Sequence, residues 1–89
     1  MNKKKHKQPV VYEYRIKYLT RGNAIPNYHY YMCEDSEQAL EFQLEMAKNK
    51  KWELEILSIE RFCKYRNEWV DESSVIDNTN RFITKRMHT

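Results

Sequence analysis

Eighty-nine residues, 40% of them hydrophobic and 33% charged, with a formal charge of +3, describe one small domain with a thin core. A chain of this size buries only about 60% of its unfolded surface, so its stability is modest and association with another chain is a natural remedy. The composition excludes an extended disordered protein, and no apolar run approaches the ~20 residues that a membrane-spanning helix needs.

Residues 1–9 carry Lys3, Lys4, Lys5 and Lys7 and end at Pro9, which reads as a basic flexible tail. No apolar segment follows it to make a secretory signal, and the expected location is cytoplasmic. From Val10 to Thr20 the residues alternate, with Tyr12, Tyr14, Ile16 and Tyr18 on one face and Glu13, Arg15 and Lys17 on the other. That period of two, rich in aromatic and β-branched side chains, predicts a strand. Arg21 to Asn27 holds the only glycine, Gly22, with Asn23 and Pro26, and reads as a turn. A second strand follows from Tyr28 to Cys33 or Glu34, and a connection this short makes the pair an antiparallel hairpin. Tyr28, Tyr30 and Met32 are expected on the core face, with His29, Tyr31 and Cys33 opposite.

Asp35 and Gln38 have the spacing of a capping box, Ser36 being the alternative cap, and Glu37 adds negative charge to the first helical turn. Ala39, Leu40, Phe42, Leu44, Met46 and Ala47 cover a broad arc of the helix. Gln43 falls inside that arc, suited to a hydrogen bond with a neighbouring strand or to a place beside a partner. Lys48, Lys50 and Lys51 gather at the C-terminus, and Asn49 is the expected left-handed exit. Alternation then resumes at Trp52, Leu54 and Ile56 but moves to odd positions at Leu57, Ile59, Cys63 and Tyr65. A straight strand over that span would run about 45 Å, so a bulge is predicted between Leu57 and Glu60. Arg66 and Asn67 turn the chain, and Glu68, Trp69 and Val70 return beside Phe62 and Lys64. Beyond Asp71 the chain is polar, with a short strand or helical turn at most through Phe82, Ile83 and Met87.

The fold class is therefore α+β: a small antiparallel-rich sheet of three or four strands with one amphipathic helix packed on one face, in β-β-α-β order. Residues 10–72 form the domain, and 73–89 a polar, weakly structured extension. Tyr12, Tyr14, Ile16, Tyr18, Tyr30, Met32, Trp52, Leu54 and Ile56 are expected beneath the helix. Glu13, Arg15, Lys17, His29, Tyr31, Glu53 and Glu55 are expected on the open face.

No catalytic constellation stands out, and the chain is read as a non-enzyme that needs no cofactor. One glycine forbids the usual phosphate loops. Cys33 and Cys63, thirty positions apart, with His6, His29 and His88 scattered, give no metal spacing and no disulfide framework. Cys33 precedes a helix N-terminus, but Glu34 and Asp35 oppose any lowering of its pKa, so a structural thiol is the better reading.

Charge is uneven: residues 10–80 hold nine basic and thirteen acidic residues, a net −4, whereas Arg81, Lys85 and Arg86 make residues 81–89 basic again. Short lysine runs serve solubility as readily as they bind anions. Lys, Asn, Ile and Tyr fill 30 of the 89 positions, the usage of an AT-rich genome such as a phage or a low-GC host.

Two binding readings follow. The first is recognition of a protein partner, as adaptor, regulator or inhibitor, through the late strand and sheet edge, using Leu57, Ile59, Arg61, Phe62, Tyr65, Arg66 and Trp69. Trp, Tyr and Arg are the residue types that interface centres favour, and strand addition at such an edge also admits a second copy of the chain. The second is RNA or ribonucleoprotein binding through Lys3, Lys4, Lys5, Lys7, Arg15, Lys17, His29 and Tyr31, with stacking on the aromatic groups and pairing of phosphates. Glu13, Glu53 and Glu55 would oppose phosphate. The segments Y-E-Y-R-I-K, D-S-E-Q-A-L-E and W-E-L-E-I-L-S-I, over about residues 12–62, resemble in their order the strand–strand–helix–strand unit of small ribosomal proteins of the LX type. That resemblance implies an RNA or ribosome partner.

Overall fold

The computed structural model of the protein describes residues 10–83. The basic tail at residues 1–9 and the segment 84–89, with Met87, lie outside the described residues. The first strand, β1, spans Tyr12–Thr20 and β2 spans Asn27–Cys33. The helix α1 covers Ser36–Lys50 and is followed by β3, Leu54–Cys63, and β4, Glu68–Asp71. After a single 3-10 turn at Ser73–Val75 comes a two-residue strand, β5, at Phe82–Ile83. The five strands make one antiparallel sheet in the order β2-β1-β3-β4, with β5 beside the first half of β3. The helix lies on one face of it. This is the α+β fold in β-β-α-β order, with the C-terminal segment adding a strand beyond the three or four expected.

The core is the layer between α1 and the sheet. Tyr14, Ile16, Ile56 and Ile59 from the two central strands are almost wholly buried, and Ala39, Leu40 and Ala47 meet them from the helix. Burying such a side chain contributes about 1.5–3 kcal/mol, so these few residues dominate stability in a domain this small. Ile76 and Ile83 close the same core from the C-terminal segment, at 8% and 3% exposure. Asp77 holds that segment in place by accepting hydrogen bonds from the backbone N–H groups of Thr79 and Asn80.

Caps fix where the helix starts. Asp35 accepts a hydrogen bond from the Gln38 N–H at 2.8 Å, and Gln38 Oε1 accepts in return from the Glu34 N–H at 2.9 Å. The exit differs from expectation. Lys51, not Asn49, takes the left-handed conformation, with φ 57°, and its N–H reaches the Ala47 and Lys48 carbonyls. The helix runs on through Lys50, so its left-handed residue falls two positions after Asn49. Trp52 is then used in the exit, its N–H bonded to the Ala47 carbonyl, and β3 begins two residues later than its alternation suggests. At 36% exposure Trp52 stands at the rim of the core, not beneath the helix.

The bulge falls in the expected place. Tyr18 pairs with Ile56 and Lys17 with Ser58, so Leu57 is the extra residue. One inserted residue moves the buried set of β3 from Leu54 and Ile56 to Ile59. Asn67, with φ 52°, completes the turn that brings Trp69 opposite Phe62.

The second strand faces the other way from expectation. Tyr14 pairs with Tyr31 and Ile16 with His29, so the odd residues of β2 share the core face with the even residues of β1. Tyr28, Tyr30 and Met32 point away from the helix and are 39%, 54% and 63% exposed. Both faces of this strand are aromatic and nearly uncharged, so its own pattern does not choose between them. Tyr12 is also more exposed than expected, at 38%, and the Arg61 guanidinium lies over its ring, 5.1 Å from the centroid.

Candidate functional site: the open face of the sheet

Strand alternation and the β2 register together place Arg15, Tyr28, Tyr30, Glu60, Phe62 and Trp69 on the face the helix leaves uncovered. Arg15 is the centre of the group. Its guanidinium carbon lies 4.2 Å from the centroid of the Trp69 ring and 5.0 Å from that of Tyr28. Its Nε donates to Glu60 Oε1 at 2.6 Å. Tyr30 and Phe62 complete the surface, with ring centroids 6.1 and 5.3 Å from that of Trp69. The rings of Tyr28 and Tyr30 are 6.2 Å apart. Cation–π contacts of this kind are worth about 0.5–1 kcal/mol at exposed sites and more where the cation is shielded. Here the Arg15 side chain is only 23% exposed, so the guanidinium is largely shielded by the groups around it.

The residues proposed for a protein partner are divided among different environments. Phe62 and Trp69 belong to the open-face patch. Ile59 is fully buried in the core, because the bulge turns it inward, and Leu57 is the half-buried bulge residue itself. Arg61 lies on the helix side, donating to Glu72 at 2.7 Å. Tyr65 is fully exposed at the β3–β4 turn, and Arg66 pairs there with Glu68 at 2.8 Å.

The residues proposed for RNA divide as well. Arg15 and Lys17 are on the open face, whereas His29 and Tyr31 are turned beneath the helix. There they form a buried polar network with Gln43. Tyr31 donates to Gln43 Oε1 at 2.7 Å, and His29 Nδ1 lies 2.8 Å from the same oxygen. Tyr18 Oη meets the other ring nitrogen at 3.0 Å, and the Trp52 ring stacks on the imidazole at 5.9 Å. With one acceptor oxygen facing both Tyr31 and Nδ1, the consistent assignment has Nδ1 donating to Gln43. Gln43 thus bonds the neighbouring strand, as its place in the apolar arc suggested. Burial pushes the Tyr31 phenol up to about 12 and the Tyr18 phenol upward as well. Lys3, Lys4, Lys5 and Lys7 lie outside the described residues.

Sequence reasoning missed Tyr28 and Tyr30, which it assigned to the core. Their orientation comes from the register, in which Tyr18 pairs with Asn27 so that odd residues of β2 lie opposite even residues of β1.

Neither cysteine is bonded. Cys33 is on β2 and Cys63 on β3, with β1 between them, so roughly two interstrand spacings of about 4.8 Å separate them, beyond disulfide reach. Burial pushes the Cys33 thiol up, away from the reactive thiolate. Among the described residues no three His, Cys, Asp or Glu side chains gather as a metal-binding group, and no helix is long and apolar enough to cross a membrane.

No protein-family model, curated protein or solved structure matches this chain. The likeness to small ribosomal proteins of the LX type therefore rests on the order of elements alone.

Proposed function

We propose that this protein is a non-enzymatic binding module that recognises a protein partner through the open face of its sheet, with Trp69 as the anchor. The observation that carries this reading is the Arg15 guanidinium held between Trp69 and Tyr28 and fixed by Glu60. Trp, Tyr and Arg are the side chains that dominate binding energy at interfaces, and a surface whose rotamers are already fixed loses little entropy on binding. The β3–β4 hairpin contributes Phe62 and the exposed ring of Tyr65 to the same end of the molecule. Strand addition at the late edge would extend the contact.

RNA binding is less well supported by the same residues. Glu13, Glu60 and Asp71 share the open face, and Glu60 already neutralises Arg15. Among the described residues Lys17 is the cation there outside an ion pair, too little to track a phosphate backbone.

Trp69→Ala tests the proposal. The ring packs on Arg15, Phe62 and Tyr30 outside the core, so the variant should unfold within a few degrees of the wild type. Capture of partner from a nuclease-treated extract should fall at least tenfold, and capture by the wild type should change little between low and moderate salt. A wild-type capture that disappears with nuclease or falls steeply with salt would move the function to nucleic acid. Global unfolding of Trp69→Ala would make Trp69 a structural residue and sink the anchor assignment.

A further inference from the structure

We infer that β2 is a self-association edge, where two copies of this chain join antiparallel about a two-fold axis at Tyr30 and continue the sheet from one molecule into the next. This does not rest on the partner reading above, which is anchored at Trp69, although Tyr28 and Tyr30 border both surfaces.

Among the described residues β2 pairs only with β1, so one side of its backbone is available over seven residues, Asn27–Cys33. At about 3.3 Å per residue that is roughly 23 Å of open edge. Monomeric proteins protect such an edge with lysine, proline, a bulge or a very short strand. None of these devices is present in N-Y-H-Y-Y-M-C, and its pairing with β1 runs without a register shift. The other edge is built differently. β4 is four residues long and begins and ends with acids, Glu68 and Asp71, while β5 has two residues.

Charge decides which edge suits a second copy. Residues 10–80 carry a net −4, so two such bodies repel unless they meet on neutral ground. An antiparallel pair of β4 strands would set Glu68 against Asp71, acid against acid. An antiparallel pair of β2 strands centred on Tyr30 sets Tyr28 against Met32, His29 against Tyr31 and Tyr30 against itself, with no charged side chain opposed. It also aligns all seven residues and keeps each side chain on its own face, because partners in this register share parity.

The apolar surface continues around both sides of the edge. Tyr28, Tyr30 and Met32 line it on the open face. On the helix face Phe42, 39% exposed, packs its ring 5.8 Å from Tyr31, beside Met46. A strand flanked by apolar side chains above and below matches the section through a continuous sheet.

Sedimentation velocity of the full chain, from about one to several hundred micromolar, tests this. The wild type should pass from monomer to dimer as concentration rises. Tyr30→Lys opposes two ammonium groups at the axis and should weaken the dimer at least tenfold with an unchanged circular dichroism spectrum. Because Tyr30 also touches Trp69, Phe42→Glu provides a second variant on the helix flank, with the same expected loss. A wild type that stays monomeric at the highest concentration overturns the inference, as does a dimer that persists undiminished in the folded variants.

Discussion

Tyr14, Tyr18 and Tyr31 are tyrosines whose protons the fold retains. Burial is the first cause for all three, and the Glu72 carboxylate adds to it for Tyr14. Raised phenol pKa values have a definite sign in stability. Below the ordinary value of 10.0 both folded and unfolded chains keep the protons, and the stability is present in full. Above it the unfolded chain releases protons that the folded chain holds, and the fold loses stability as pH rises through about 12. Urea unfolding at stepped alkaline pH should therefore show a midpoint that is level up to about pH 10 and falls beyond it. A midpoint unchanged to pH 12 would mean that these phenols are solvated. Gln43 shows a cost at the same scale. Its Oε1 serves two partners, yet its buried Nε2 has none among the described residues, the kind of orphan that costs about 1–3 kcal/mol.

Elements differ in how openly the sequence announces them. The helix start was legible because Asp35 and Gln38 act through local hydrogen bonds, which a spacing can reveal. The bulge was legible because the apolar residues of β3 change parity between Ile56 and Ile59. The orientation of β2 was not, since Tyr31 and Tyr30 are the same residue type on opposite faces and only pairing with β1 distinguishes them. That one inversion accounts for the miss at the candidate site: Arg15 and Trp69 were recognised separately, but the tyrosines that join them were placed in the core. The bulge also gives a sharp prediction. Removing Leu57 leaves Leu54, Ile56 and Ile59 in unbroken alternation and preserves every pairing with β1. The deletion should fold, within about 2 kcal/mol of the wild type, while a flatter sheet separates Tyr30 from Trp69. Loss of native circular dichroism would show that the bulge is required for folding. Retention of the wild-type tryptophan fluorescence would show that it does not set the aromatic patch.

At the scale of the whole molecule, the polar C-terminal segment is where sequence reading saw least. Its apolar residues are few and widely spaced, so no period could develop, yet Ile76 and Ile83 are both in the core. Ile83→Ala should cost about 2–5 kcal/mol, measured by urea unfolding, as expected for a buried large-to-small change. A loss below 1 kcal/mol would make β5 an ornament on a core that is complete without it. The position of β5 also bears on how the protein comes into being. Its partner is the first half of β3, made nearly thirty residues earlier, so Leu54 and Ile56 wait with one flank open until Ile83 has been synthesised. Before that point the growing chain carries two unguarded strand borders instead of one, and crowded nascent chains meet most readily there. Slow translation through residues 64–80 would lengthen that exposure, making the speed of synthesis across a featureless polar stretch a determinant of how much native protein is recovered.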